Sequence, residues 1–364
     1  MKKQMIFHHP APLPSALTSG SRVRPVKMKQ AFEKLGYDVF VVAGTGPERR
    51  TAIQTIKKLV HQGTVFDFVY SEPPTAPIAV VNHDVANLWL DVGFLRWCKQ
   101  HAIPVGLFYR DVHWRFDIYK CKVPWLQRAI SLPLFWFEWF NYQQVMNHLF
   151  IPSQEMAPAL PTSWPKDNLS PLPPGCEITE NIKTQTIHNK LNLFYVGGVT
   201  PPLYDLKPML TVINTTSGTH LSLCCRQEEW LKVQNYYQPH LFNNIQIIHQ
   251  YGKKLADYYL SADVFGLVWN HHPYLDFAMP VKVFEALGYG LPLITTAGTA
   301  VADFVQREGI GWVVANVSKF RELLVKLQRQ PEEIANKRHQ AEKVRHNHTW
   351  LQRAQTVANV MKQY

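Results

Sequence analysis

Short, nearly continuous apolar runs alternate with longer amphipathic stretches along almost the whole chain. Residues 4–8, 38–43, 67–70, 104–109 and 148–152 have the length and aliphatic content of strands buried on both faces. Between them lie stretches of helical period. The first, from about residue 25 to 35, turns Val26, Met28, Phe32 and Leu35 to one side and Lys27, Lys29 and Lys34 to the other, and others follow near 47–61 and 88–100. This order predicts an α/β protein that opens as a doubly wound parallel sheet. A Pro-rich segment over 158–177 carries no apolar period and reads as a connection. The alternation then restarts at 191–196, continues through 220–225, 245–248, 264–269, 291–295 and 312–314, and ends in two helices, the last over about 350–362. The expected organisation is an N-terminal domain over 1–170, a linker over 171–189, a second domain over 190–345 and a terminal helix over 346–364.

The stretch 262–296 concentrates the chemistry. A buried strand leads into a loop with His271, His272 and Asp276, and a helix opens at Pro280 and stops at Gly288 and Gly290. Lys282 and Glu285 are three apart and share a face of that helix. At a helix N-terminus the free N–H groups and the dipole attract phosphate, a Lys neutralises it, and a Glu accepts from the vicinal hydroxyls of a ribose. The same spacing also fits a solvated i,i+3 ion pair worth a few tenths of a kcal/mol, so spacing leaves both readings open.

The pattern Pro280-x-Lys282-x-x-Glu285-Ala286-Leu287-x-x-Gly290-x-Pro292 resembles the nucleotide-sugar signature of glycosyltransferase family 4 and related capsule and exopolysaccharide enzymes. The resemblance implies the GT-B architecture, two Rossmann-like domains facing a cleft with a C-terminal helix crossing back to the N-terminal domain. It assigns Lys282 to the diphosphate of a UDP-sugar, Glu285 to its ribose, the Gly197-Gly198 loop to phosphate, and the segment with Tyr251 to the base. No metal and no cofactor beyond the nucleotide-sugar substrate are implied, and the anomeric configuration is retained. One position departs from the family: its first Glu, eight residues before the second, is Phe277 here, with Asp276 beside it. That keeps open an inverting reaction like that of the xanthan glucuronosyltransferase, with Asp111 as base and Glu72 second. A hydrolysing UDP-sugar epimerase of the same fold and a non-enzymatic basic adaptor are the readings from other classes.

Further candidates fall where open α/β sheets place ligands, at the carboxyl ends of strands. Gly20, Ser21 and Arg22 follow the first strand as an acceptor or phosphate loop, or else Arg22 and Arg24 solvate a flexible loop. Glu72 ends the third strand as a substrate contact or a cap. Arg110, Asp111 and His113 end the fourth as the densest acid/base cluster of this half, which the resemblance places beside the transferred sugar or the acceptor. Arg226 ends the 220–225 strand and with Lys282 forms a two-cation clamp for a leaving diphosphate. The Gly44-Thr45-Gly46 run lacks the rest of a dinucleotide fingerprint and reads as a turn and helix cap.

Charge then narrows the partners. A formal net charge of +11 calls for an anionic one. The basic residues are dispersed and no zinc-finger, RRM or helix-turn-helix pattern occurs, so nucleic acid is not expected. Residues 120–150 crowd Trp125, Leu126, Leu132, Leu134, Phe135, Trp136, Phe137, Trp139 and Phe140 beside Lys120, Lys122 and Arg128. This is either a core helix or an element lying on an anionic membrane surface, where a lipid-linked or oligosaccharide acceptor is met. Pro133 and Glu138 interrupt it, and no run reaches the roughly 18 apolar residues of a span. The N-terminal apolar run is too short for a signal peptide, and the five cysteines show no disulfide framework or metal spacing. A cytoplasmic protein held peripherally at the inner face of the cell membrane is the expected location.

Overall fold

The computed structural model describes residues 3–14, 20–81, 87–180 and 190–364. They form two compact units, one comprising Met1–Pro174 with Trp350–Tyr364, the other Gly175–Thr349. Each unit is built on a parallel six-stranded sheet.

The first unit contains β1 (Gln4–His9), α1 (Gly20–Lys34), β2 (Asp38–Ala43), α2 (Gly46–His61), β3 (Val69–Ser71), α3 (Ile78–Val81), α4 (Leu90–Gln100), β4 (Val105–Phe108), α5 (Asp117–Lys122), α6 (Trp125–Val145), β5 (His148–Ile151) and β6 (Leu169–Pro171). Its strands run in the order β2-β1-β3-β4-β5-β6. The second unit contains β7 (Leu191–Val196), α7 (Lys207–Thr215), β8 (Thr219–Cys224), α8 (Gln227–Tyr237), β9 (Ile245–Ile248), α9 (Ala256–Ser261), β10 (Val264–Leu267), α10 (Val281–Gly288), β11 (Leu293–Thr296), α11 (Ala300–Glu308), β12 (Gly311–Val314), α12 (Val317–Arg329) and α13 (Pro331–Val344). Its order is β12-β11-β10-β7-β8-β9. The final helix, α14 (Trp350–Met361), packs on α1 and β4 of the first unit. Met361 lies against Gly106 of β4, where a Cβ would come within 2.7 Å of its sulfur.

In both sheets the chain starts inside and winds outward in two directions. The strand order reverses between β1 and β3 in the first unit and between β7 and β10 in the second. The central strands are buried on both faces, with Met5, Ile6 and Phe7 of β1 and Leu193 and Phe194 of β7 inaccessible or nearly so. Polar chemistry is thereby pushed to the carboxyl ends.

Several elements depart from the sequence reading. α1 begins at Gly20 and carries Pro25 inside it, so Gly20, Ser21 and Arg22 form its first turn instead of a loop. Proline removes one intrahelical donor, which a helix tolerates near its start. Ser19 lies outside the described residues. Pro133 does not interrupt α6, which runs 21 residues through it because Phe135, Trp139, Tyr142 and Val145 anchor the following turns in the core. The Pro-rich connection contains β6, which pairs with β5 at the sheet edge, where proline is tolerated. Three helices follow β12 in place of two, since Pro331 opens α13 directly after α12 ends. Thr45 does cap α2: its backbone N–H and its hydroxyl each donate to Glu48 Oε2 at 2.7 Å.

A buried polar knot joins four elements of the first unit, β1, α2, β3 and α4. His8 Nε2 donates to Asp91 Oδ1 at 2.9 Å, and its Nδ1 is 2.8 Å from the Ser71 hydroxyl. Arg49, fully buried in α2, donates to both Asp91 oxygens at 3.0 and 3.1 Å and to the Gly44 carbonyl at 2.7 Å. Burial opposes the Asp91 charge, but His8 and Arg49 outweigh it and hold the carboxyl below its ordinary range. Removing one partner of such a pair strands a charge in the core. Arg49→Met is therefore expected to lower the unfolding free energy by about 3–5 kcal/mol in urea titration. Adding Asp91→Asn to it should cost less than the two single changes summed.

Candidate functional site

In the second unit Pro280 is the N-cap of α10, and Lys282 Nζ donates to Glu285 Oε2 at 2.5 Å. This is the ion pair that spacing left open, but it is not a free surface pair. The same Glu285 oxygen accepts from the Tyr259 hydroxyl at 3.1 Å, and both Lys282 and Glu285 are only 27% exposed. Tyr259 is buried on α9 and stacks on Tyr289, with centroids 4.7 Å apart and planes at 8°. Burial and the neighbouring Glu285 push its hydroxyl well above the ordinary tyrosine range, so it remains a donor. Glu285 is therefore pre-oriented by a residue that nothing in the Ala256-to-Ser261 pattern singled out.

The other donor-side candidates lie at the carboxyl ends of neighbouring strands. The Gly197 N–H donates to the Cys224 carbonyl at 3.1 Å, and the Gly198 carbonyl accepts from the Tyr195 hydroxyl. A Cβ at Gly197 would lie 2.9 Å from that hydroxyl, so the loop needs glycine there. The loop is pinned by Glu229 of α8, which accepts from Val199 N–H at 2.9 Å and the Thr200 hydroxyl at 2.8 Å. Arg226 is the exposed N-cap of α8. Two residues earlier, burial raises the Cys224 thiol, while its hydrogen bond to the Gln250 carbonyl at 3.3 Å and, after it, the Lys282 charge pull it back. Tyr251 is 65% exposed beyond β9. Phe277 is buried edge-on against Tyr274, whereas Asp276 is paired with His271 at 2.8 Å on the surface.

In the first unit the candidates converge on the ends of β3 and β4. Glu72 is fully buried, and Oε1 accepts from Arg110 at 2.6 Å while Oε2 accepts from the Tyr70 hydroxyl at 3.1 Å. Arg24 of α1 approaches the same carboxylate at 3.5 Å and lies 3.5 Å from the centroid of Phe108. With both oxygens engaged, Glu72 is built to hold Arg110 in place, not to take a proton from a substrate. Arg24 does not solvate a loop: it is 3% exposed and its three guanidinium nitrogens make no hydrogen bond among the described residues. Asp111 turns to His113 and not to Arg110, accepting its backbone N–H at 2.8 Å with the ring Nδ1 3.6 Å away. His113 packs edge-on against Tyr119 and Phe135, at 5.2 and 5.8 Å. Asp111 and His113 stay partly accessible; Arg22 is exposed on the first turn of α1.

Behind this cluster Glu138 of α6, noted in the sequence only as an interruption, accepts the Ile78 N–H at 2.6 Å. Desolvation pushes its carboxyl from 4.5 up to about 8, only partly offset by that hydrogen bond. Among the described residues, no group of three or more His, Cys, Asp or Glu side chains could hold a metal ion, and no helix is long and apolar enough to cross a membrane.

Residues 231–354 match the family described as Glucosyltransferase 3-like, C-terminal domain, a span that includes Lys282, Glu285 and Tyr259. No curated protein matches the chain. Among solved structures, sucrose-phosphate synthase from Thermosynechococcus elongatus is similar over 99% of both chains, with 14% identity and a TM-score of 0.68. Anabaena Alr3699/HepE in complex with UDP-glucose covers 99% of this chain and 100% of its own, with 9% identity and a TM-score of 0.64. WaaG, a glycosyltransferase involved in lipopolysaccharide biosynthesis, covers 98% and 99%, with 14% identity and a TM-score of 0.59. Domain match and fold together define the class, a glycosyltransferase with the GT-B architecture.

The raised Glu138 carboxyl has a measurable consequence. Between pH 4.5 and about 8 the folded chain keeps a proton on Glu138 that the unfolded chain releases, so this group removes stability as pH rises through that window. Glu138→Gln keeps an acceptor for Ile78 but does not titrate. Its melting temperature relative to the parent should climb from pH 5 to pH 8 by on the order of 5 °C; a constant difference would mean Glu138 is ionised throughout.

Proposed function

We propose that the chain transfers a sugar from a nucleotide-diphosphate donor, a UDP-sugar, to a hydroxyl of a glycan acceptor, in the manner of glycosyltransferase family 4. The observation that carries this reading is the Lys282–Glu285–Tyr259 arrangement beside the reversal of strand order in the second unit. Similarity to a protein solved with UDP-glucose supports the choice of uridine nucleotide. Lys282 and Arg226 stabilise the negative charge that develops on the departing diphosphate, and the Gly197-Gly198 loop lets its oxygens approach the backbone. Glu285, steadied by Tyr259, turns toward the ribose once Lys282 is drawn to phosphate. Tyr251 offers its exposed ring to the base.

In the retaining form of the reaction the bond from the anomeric carbon to the diphosphate breaks, the acceptor oxygen bonds on the same face, and its proton passes to a phosphate oxygen. No metal is needed where two cations already meet the leaving group. A second, inverting reading has a specific support: Asp111 is partly accessible and oriented by the His113 N–H, so it is placed to act as base, whereas Glu72 is not. The first unit takes the acceptor, with Gly20, Ser21 and Arg22 at the start of α1 and Asp111 and His113 after β4.

The acceptor we infer is lipid-linked and is met at an anionic membrane surface on the cytoplasmic side. Support comes from α6, which divides its aromatic load. Phe135 and Trp139 are core, while Trp125, Leu126 and Ile130 are 68, 60 and 65% exposed next to Lys122 and Arg128. A capsule or exopolysaccharide enzyme, whose acceptor is carried on a membrane lipid, is the role we infer from it.

UDP-sugars are expected to raise the melting temperature of the parent more than GDP- or ADP-sugars, and Lys282→Ala should abolish or shrink that response. No nucleotide response in the parent would end the reading. In flotation assays the parent should rise with anionic vesicles and not with neutral ones, and Leu126→Ser/Ile130→Ser should stay behind; equal flotation of parent and variant would exclude this surface.

A further inference from the structure

The first sheet has a reversal of strand order of its own, between β1 and β3, and open α/β sheets take ligands beyond the carboxyl ends of the strands at such a place. β1 ends there in His8 and His9, which point to opposite faces of the sheet as neighbours on a strand do. His8 is used up, with one ring nitrogen on Asp91 and the other on Ser71. His9 crosses the reversal instead: its Nδ1 lies 2.6 Å from the carbonyl oxygen of Glu72, the first residue after β3. A carbonyl only accepts, so Nδ1 carries the hydrogen and the neutral ring keeps a bare lone pair on Nε2.

That lone pair is left over. Nε2 has no hydrogen-bond partner among the described residues, and although His9 is only 5% exposed, Nε2 is not one of the polar atoms sealed from solvent, as the Arg24 nitrogens are. Its neighbours are already matched: Glu72 holds Arg110 and Tyr70 with its two oxygens, and Asp111 accepts the His113 N–H. Burial is the main reason that the ring is neutral near pH 7. It pulls the imidazole below its ordinary value of 6.5; the hydrogen bond to Glu72 and the charge of that residue oppose the pull, and the positive charges of Arg110 and His8 add to it.

A neutral acceptor atom in such a place selects its ligand by chemistry. An ionised phosphate or carboxylate brings lone pairs and no proton, and an ammonium group or a metal ion would meet the Arg110 charge. A hydroxyl meets neither objection. We propose that His9 Nε2 accepts a hydrogen bond from a hydroxyl of the acceptor glycan, beside the hydroxyl that is glycosylated. The assignment rests on the glycosyltransferase reading and adds to it a residue that holds the acceptor; the proton of the reacting hydroxyl stays with the groups already named for it. A site built around such a bond rejects a sugar that lacks the hydroxyl, because Nε2 is then desolvated with nothing to pair.

Two substitutions separate the two bonds of the ring. In His9→Asn the amide N–H can still reach the Glu72 carbonyl while nothing stands at Nε2; in His9→Gln the amide oxygen comes where Nε2 was. The probes are methyl glucoside, methyl galactoside and methyl mannoside, offered to the full chain at millimolar concentrations with excess UDP present and followed by ligand-observed NMR. At least one should bind the parent, its permethylated form should not, and affinity should fall about five-fold in His9→Asn and recover in His9→Gln. Binding to the parent should also weaken as pH falls from about 7.5 to about 5, where Nε2 takes up a proton and turns from acceptor to donor, and His9→Asn should lose that dependence. No binding of any sugar, equal binding of the permethylated form, unchanged affinity in His9→Asn, a pH dependence that His9→Asn shares, or equal loss in both variants would overturn the proposal; the last would mean that His9 serves the fold alone. The UDP-sugar thermal shift of the same samples reports the nucleotide site. Its absence from the parent would count against the glycosyltransferase reading without touching the sugar affinities measured for His9.

Discussion

Parallel strands covered on both faces leave nowhere inside for unpaired charge, and this constraint organises both units. β1 and β7 are apolar through their middles, Met5 to Phe7 and Leu193 to Val196, and polar groups gather where the strands stop: His8 and His9, Ser71 and Glu72, Arg110 and Asp111 in one sheet, the Gly197-Gly198 loop and Arg226 in the other. The charge that does enter the core is matched at once. Asp91 takes Arg49 and His8, Glu72 takes Arg110 and Tyr70, and Glu138 is held neutral. Each buried group thus fixes the position of a neighbour nearer the surface.

The two units use that constraint differently. In the second, Lys282 and the Gly197-Gly198 loop lie beside the reversal of strand order, with Glu285 and Glu229 holding them from below. In the first, ionisable groups are stacked in depth, from Arg24 beneath Glu72 to Arg110 and then Asp111, an arrangement for presenting a few groups at fixed angles. The buried Arg24 guanidinium, set over Phe108, is the foundation of that stack: it supports Glu72 electrostatically while making no hydrogen bond of its own.

Periodicity made most of the frame legible, and its failures have local causes. β2, β7 and β9 could be read to the residue because continuous apolar runs bounded by Gly or polar residues have few other solutions. Pro25 and Pro133 misled because tertiary packing can carry a helix past one missing hydrogen bond. β6 was hidden because an edge strand of three residues with a proline has no periodicity to detect. At the site, Lys282 and Glu285 stood out by their spacing at a helix start, and Asp111 and His113 as ionisable residues at a strand end. Tyr259, Arg24 and Glu138 did not, because each acts through a contact with a residue far away in sequence, and such pairs leave no trace in spacing. The partner of Arg110 is hidden for the same reason: the fold supplies Glu72 from the end of β3.

The ownership of α14 has a consequence for biogenesis. Gly175–Thr349 is one uninterrupted length of chain, whereas the first unit is assembled from two pieces, and its Gly106 is covered by Met361 of the second piece together with Phe150. On the ribosome the second unit can mature as soon as it emerges, but the earlier-made one must wait, with the site for α14 on β4 and α1 uncovered, until α14 has been made. Loss of α14 alone would therefore leave the first unit unfinished while the second kept every one of its strands.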